Sequence, residues 1–274
     1  MNGQGKLLTH FLKNADKLVI PVYQRNYDWK EEHCKKLYSD LVKTVREGKR
    51  WHFFGGIVSV SDPMGSSSDY LVIDGQQRIT TVSLLLLAIA NLVKAGIVTP
   101  KDPNLYDVIT KKYLVDEINP KQRKMKLKPI KGDQDSYDRL WGDPSEYNQS
   151  SRITQNYLYF YNQIQRDDIS VDQLFSAVEK LQIIDITLTP PDDDPQLVFE
   201  SLNSTGLDLN EGDKIRNFVL MRRSMEEQEQ FYDDYWSPIE KNAGYDKQTN
   251  SYDVSPFIRD YLGIKERRLT AMKE

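Results

Sequence analysis

The sequence predicts an α+β fold with a mainly helical second half, on three observations. Segments at 17–20, 52–60 and 70–73 are rich in β-branched and aromatic residues and are bounded by turn formers, as strands are. A long apolar helical pattern follows them directly over 76–94. Beyond residue 100 the hydrophobic spacing is helical almost throughout, broken by one strand at 181–188.

In chain order, Leu7–Leu12 reads as a short helix, and Lys17–Ile20 as a strand stopped by Pro21. An irregular aromatic-polar loop, Val22 to Trp29, leads into a helix over 29–47. That helix should open on an Asp28/Glu31 capping box, with Leu37, Leu41, Val42 and Val45 on its apolar face. Two strands around the turn-rich 61–69 segment form a hairpin. From Gln76 to Lys94 apolar residues line more than one face, which marks a buried central helix. Helices are expected at 105–115, 134–141, 151–166, 171–180, 225–240 and 253–268, with two more opened by Asp194-Pro195 and by Asn210. The shift in pattern near residue 100 suggests a core over 1–100 and a helical extension over 101–274.

Composition narrows the function classes. Apolar residues at 39% and charged residues at 28% describe a chain that buries a core. A net charge of −4 does not advertise nucleic-acid binding, so any DNA contact must come from a local patch. The lone cysteine, Cys34, excludes an intrachain disulfide and a Cys-rich zinc site and fits a reducing, cytoplasmic setting. The first residues lack a leader pattern and the longest apolar run, Leu84–Ala90, is short for a bilayer, so no membrane role is expected.

The segment that carries chemistry is Asp74-Gly75-Gln76-Gln77-Arg78, between a strand and the central helix. The first turn of a helix presents backbone amides and a positive dipole end to an anion. Gly75 allows close backbone approach, the Gln76 and Gln77 carboxamides can donate, and the Arg78 fork can hold two phosphate oxygens. Asp74 is the natural partner for a metal ion or a water. Neither the Walker spacing nor a dinucleotide fingerprint is present. On local sequence alone, a capped helix with a surface ion pair explains the same residues equally well.

The chain resembles the GmrSD-type family of modification-dependent restriction proteins. The segments that carry the likeness are Ile20–Trp29 (with Tyr23-Gln24-Arg25), Phe54-Gly55-Gly56-Ile57-Val58, Val72–Thr81 around the Asp-Gly-Gln-Gln-Arg motif, and Phe199–Leu209 with Asn203-Ser204-Thr205-Gly206. The resemblance runs from about Ile20 to Leu220 and implies a ParB/sulfiredoxin-like core. It implies binding and hydrolysis of a nucleoside triphosphate with Mg²⁺, linked to sensing modified phage DNA. Asp74, Gln76, Gln77 and Arg78 would be the catalytic, phosphate-side residues, with Arg25, Gly75 and Thr80 beside them and Asp74 on the metal. Asn203, Thr205, Asp213, Arg216 and Asn217 would complete the nucleotide site from the second half. Related proteins carry a fused or separate His-Asn-His nuclease. The three histidines here, His10, His33 and His52, form no such arrangement, so a nuclease domain or subunit is an expected partner. A homo-oligomer is also compatible with the sequence.

Two segments could contact DNA. Tyr23, Tyr27 and Trp29 flank Gln24 and Arg25, a composition suited to stacking on an altered base, although aromatics also fasten loops to cores. Lys124, Lys126 and Lys128 alternate with Met125 and Leu127 as a strand with one cationic face would, which serves either a phosphate backbone or the blunting of a sheet edge. Asp192-Asp193-Asp194 reads as solvated helix-start acids rather than a metal cluster. A binding module that passes a signal without hydrolysis, and a phosphotransferase on the same scaffold, remain alternatives to the triphosphatase.

Overall fold

The structure is a computed structural model that describes residues 2–61, 69–116, 124–166, 169–190, 192–203, 211–221, 223, 225–246, 251–252 and 254–266. It divides into two compact units, Met1–Pro21 with Asn26–Pro195, and Val22–Arg25 with Gln196–Glu274.

The first unit runs β1 (Asn2–Leu7), α1 (Leu8–Asn14), β2 (Lys17–Val19), α2 (Glu31–Arg46), β3 (His52–Ser61), β4 (Asp69–Asp74) and α3 (Gln76–Lys94). It continues with α4 (Leu105–Ile109), a π-helical turn at Thr110–Leu114, β5 (Val115–Asp116), β6 (Lys124–Met125), β7 (Leu127–Lys128), α5 (Lys131–Arg139), a 3₁₀ turn at Pro144–Glu146, α6 (Arg152–Arg166), α7 (Val171–Val178) and β8 (Leu181–Leu188). Six strands form one mixed sheet in the order β1-β8-β3-β4-β2-β7. β1 and β8 are antiparallel, β8 and β3 parallel, β3 and β4 an antiparallel hairpin, and β2 lies parallel to both β4 and β7. β5 and β6 make a separate two-stranded ribbon.

The core sits where α3 passes against α4, α6 and α7. By length and hydropathy α3 would qualify as a bilayer span, yet 72% of that stretch is buried inside the fold. Its continuous run Val82 to Ala90 is buried on every side, which is why the apolar residues exceed a single stripe. The one-sided pattern of α2 is equally direct, with Leu37, Tyr38, Leu41 and Val42 turned inward.

Three expectations need correction. The N-terminal segment is not only a helix: Asn2–Leu7 forms an edge strand, in register from Asn2 opposite Thr187 to Leu7 opposite Gln182. Its two glycines and absence of β-branched residues hide that strand, whose order comes from the β-branched β8 beside it. The start of α2 uses no Asp28 cap; Lys30 is the N-cap and its N–H donates to His33 Nδ1 at 3.1 Å. Finally, 124–128 is two short strands serving two sheets rather than one strand with a cationic face. Lys126 sits at the switch, where the alternation breaks and its side chain turns inward.

The second unit holds α8 (Pro195–Asn203, from Gln196 on), α9 (Glu211–Leu220), α10 (Met225–Phe231), a π-helical turn at Tyr232–Trp236, α11 (Ser237–Ala243), the β9 (Tyr245–Asp246) and β10 (Ser251–Tyr252) ribbon, and α12 (Val254–Glu266). Its centre is Arg216 of α9, buried and hydrogen-bonded to Asp213 at 2.7 Å, Glu240 at 3.0 Å and the Tyr23 carbonyl at 2.9 Å.

Candidate functional site

β4 delivers Asp74 opposite Val58 of β3, and the chain turns into α3 through Gly75. Gly75 has φ +95, a left-handed conformation that side chains resist. A Cβ there would stand 3.0 Å from Ile57 Cγ1 and 3.1 Å from the Gly56 carbonyl oxygen. Glycine is therefore required twice over, by the dihedral and by the close approach of β3. The Gly75 carbonyl then accepts the Ile79 N–H at 3.0 Å and starts the helix.

The neighbouring strand is shaped to receive Arg78. β3 carries an extra residue against β8, Phe53 facing Gln182 while Gly55 faces Ile183, so Phe54 bulges out. Gly55 takes φ +117, and a Cβ on it would lie 2.6 Å from Arg78 Nε. The guanidinium thus lies across bare backbone. Its Nη1 donates to the Gly56 carbonyl at 3.2 Å and stands 3.9 Å from Asp74 Oδ2. The Arg78 and Asp74 side chains are 32% and 40% exposed, so both face solvent while their bases are held. The Phe-Gly-Gly and Asp-Gly-Gln-Gln-Arg segments are one structural device.

Gln77 points the other way, into the fold. Its Oε1 accepts the N–H groups of Asp28 at 2.9 Å and Trp29 at 3.1 Å, and its Nε2 donates to the Asn26 carbonyl at 3.3 Å. A buried proton chain continues from it. Asn156 Nδ2 donates to the Tyr27 hydroxyl at 2.9 Å, which donates to Thr81 Oγ1 at 2.7 Å, and that hydroxyl donates to the Gln77 carbonyl at 2.7 Å. Asn156 Nδ2 also donates to the Trp29 carbonyl, the Tyr27 N–H donates to Asp133 Oδ2 at 2.6 Å, and Arg152 pairs with Asp28 at 3.2 Å. Burial pushes the Asp133 carboxyl up to about 7, the Tyr27 amide opposing, and raises the Tyr27 phenol. Trp29 stacks on His33 at 5.3 Å between ring centres and meets Phe54 edge-on at 6.4 Å.

This placement sorts the candidate residues. Asp74, Gly75, Gln76 and Arg78 come together at the β4–α3 junction; Thr80 is buried on α3. Gln77, Tyr27 and Trp29 are spent on holding the 26–29 loop, so Tyr27 offers no ring face to a base. Tyr23 and Gln24 are buried too, Tyr23 meeting Phe199 edge-on at 6.0 Å within the second unit. Arg25 is half-buried in that unit's 22–25 segment. Asp213 and Arg216 are occupied with each other, and Asn217 is buried beside them with its Oδ1 unpaired among the described residues. Asn203 ends α8, and Thr205 lies outside the described residues.

Of the lysines, Lys128 is exposed, and the Lys124 side chain lies outside the described part. Lys126 is buried, and its ammonium donates to the carbonyls of Leu12 at 3.2 Å, Lys13 at 3.0 Å and Lys112 at 3.1 Å. Two of those carbonyls close the end of α1, where the helix dipole favours a cation. It cannot also meet a phosphate. Asn156 and Asp133 were not visible as loop-holding residues, though each is a polar residue among buried neighbours of its helix, Asn156 between Ile153 and Phe160.

The profile of the GmrSD restriction endonuclease N-terminal domain matches residues 8–220. That span covers most of the chain and contains all four motifs. The chain belongs to the GmrSD restriction endonuclease family. A search of curated proteins gives no match. Within the GmrSD domain, the Phe-Gly-Gly bulge, the Asp-Gly-Gln-Gln-Arg turn and the 26–29 loop are three parts of one hydrogen-bonded assembly. The matched span stops at the end of α9, so α10 to α12 lie outside it.

Among the described residues no group of three or more His, Cys, Asp or Glu side chains could hold a metal ion. Asp74 is a single carboxylate. That suits only a Mg²⁺ ion already carried by phosphates, which commonly takes one or two carboxylates from protein.

Proposed function

We propose that this chain is the nucleotide-responsive module of a GmrSD-type restriction system, built on a ParB/sulfiredoxin-like core. It binds a nucleoside triphosphate at the β4–α3 junction, hydrolyses it, and couples that cycle to modified DNA and to a His-Asn-His nuclease domain or subunit. The observation that carries this reading is the third-exposed Arg78, held over bare Gly55 by a carbonyl bond yet with Nε and Nη2 unpaired among the described residues. A pre-positioned guanidinium beside a helix start is an arrangement for phosphate charge. Asp74 would orient the attacking water or the Mg²⁺ carried by the triphosphate. Gln76 lies in the same first turn; Gln77 acts by fixing the 26–29 loop, a positioning role.

A second reading is favoured by the engagement of Gln77: with its carboxamide taken up by the 26–29 loop it does not orient a water, and the module would then bind nucleotide without turnover. Phosphate release from ATP, GTP, UTP and CTP with Mg²⁺, together with thermal shifts for each, decides between the readings. Release by the wild type and its loss in Arg78→Ala supports hydrolysis. Stabilisation without release supports binding alone, and no response to any nucleotide removes both.

A further inference from the structure

The sheet has a second face with an unusual surface. Trp51 and Phe53, two residues apart at the entry of β3, are 57% and 53% exposed, while His52 between them turns toward Asp40 of α2 at 3.7 Å. Beside Phe53, Ile184 of β8 is 40% exposed for a clear reason: it is opposite Gly5 on β1 and Gly56 on β3, so neither neighbouring strand supplies a side chain to cover it. Gly3, opposite Ile186, extends the bare strip along β1. The result is a shallow strip in which β1 and β3 are bare beside Ile184, flanked on β8 by the Gln182 side chain, which reaches Gly5, and by Ile186, which lies against Gly3, with two aromatic rings at its end.

The charge around this patch opposes the charge of the whole chain. Between Lys43 and Phe53 there are four cations, Lys43, Arg46, Lys49 and Arg50, against one acid, Glu47, in a chain of net charge −4. Glu47 is taken by Lys49 at 2.7 Å. Arg50 is exposed, and Lys180 is brought alongside because its carbonyl accepts the His52 N–H at 2.9 Å. At the other end, Gly56 is also the residue whose carbonyl holds Arg78.

We propose that this face, from Trp51 and Phe53 across Ile184 to Gly5 and Gly56, binds an unpaired DNA strand. Stacking needs an accessible π-face on both partners, which paired bases inside a duplex do not offer. The Trp51 and Phe53 rings offer stacking faces, the glycines opposite Ile184 leave room beside it for a flat base, and the flanking Lys49 and Arg50 track the phosphates. The inference rests on the reading that the module meets DNA, and it places that contact on residues other than the buried Tyr23, Gln24, Tyr27 and Lys126.

The test is fluorescence anisotropy of the full chain with a labelled oligothymidine of about 16 nucleotides, and with a duplex of equal length. The wild type is expected to bind the single strand more tightly than the duplex. Trp51→Ala and Phe53→Ala should each weaken strand binding about 10-fold, within the range for loss of one stacked base. Lys49→Gln with Arg50→Gln should lower the salt slope by about 1.4. Because both rings are mostly exposed, melting temperatures should hardly move. If one falls, Trp51→Phe and Phe53→Tyr keep the stacking ring and should keep the affinity. The proposal is overturned if the wild type does not bind the strand or if the aromatic variants bind it as the wild type does. It is equally overturned if those variants alter sedimentation of the protein while DNA affinity stays put, which would make the patch a protein interface. Nucleotide thermal shifts, read in parallel, should be unchanged in Trp51→Ala; their absence from the wild type would instead count against the triphosphate reading.

Discussion

Gln77 and Arg78 are adjacent in sequence and carry opposite kinds of work. Gln77→Ala removes the acceptor for two backbone amides and the donor to a carbonyl, in a nearly dry site. Leaving a buried donor unpaired costs about 1–3 kcal/mol, so urea denaturation should show a loss of about 2–4 kcal/mol. Arg78→Ala removes one carbonyl bond and a long 3.9 Å ion pair from a third-exposed side chain. Its stability should stay within about 1 kcal/mol of wild type while nucleotide response disappears. Equal destabilisation by the two changes would make Arg78 structural and end the phosphate assignment. Asp133 adds a pH effect at the same loop. Its folded-state carboxyl titrates near 7, well above the ordinary carboxylate range, so the native state holds a proton that the unfolded chain has released. Stability is therefore fully present at acid pH, below the unfolded value, and declines as pH rises toward 7, at a slope of up to about 1.4 kcal/mol per unit before levelling off. Asp133→Asn keeps an acceptor for the Tyr27 amide and should flatten that decline in denaturation series from pH 4 to 8. An unchanged slope would show that another group causes it.

At the scale of elements, the glycines of β3 and of the β4–α3 turn decide whether Arg78 can lie where it does. Gly55→Ala combines a positive φ with a clash against the guanidinium, whereas a clash with a side chain alone could be relieved. The backbone strain alone costs about 1–3 kcal/mol. The expected variant is folded, with a lower melting temperature and a lost nucleotide shift, because Arg78 is displaced. A folded Gly55→Ala that keeps the full nucleotide response would separate the bulge from the site. The same scale shows what sequence could reveal. The periodicity of α2, α3, α6 and α7, the β3–β4 hairpin and the strand β8 follow from local patterns of burial, and they are present. The strand β1 is not local in origin, since its glycines acquire order only from β8, some 180 positions on. Lys126 is the opposite case: its spacing imitates a cationic face, but strand alternation fails at a switch between two sheets. Gln77 looked like a ligand because the motif surrounds it, while its partners are backbone amides 48 and 49 residues away, which no side-chain pattern announces.

At the scale of the molecule, every residue assigned to the β4–α3 junction belongs to the first unit, with Gly55, Gly56, Asp74, Gln76 and Arg78 drawn from β3, β4 and α3. The hydrophobic pattern shifts near residue 100; the contacts gather residues 26–195 with the sheet, because β8 inserts between β1 and β3. Ligand that binds only the folded state stabilises by RT ln(1 + [L]/Kd), about 2.7 kcal/mol at a hundredfold excess over Kd. If the nucleotide seats at this junction, that stabilisation acts on the opening of β3, β4 and the start of α3. Amide hydrogen exchange with and without nucleotide should then gain protection over 52–58 and 74–80, while α12 exchanges at an unchanged rate. In Arg78→Ala the gain over 74–80 should vanish. Protection that appears in α9 to α12 and leaves 52–58 and 74–80 untouched would move the nucleotide away from the Asp-Gly-Gln-Gln-Arg turn.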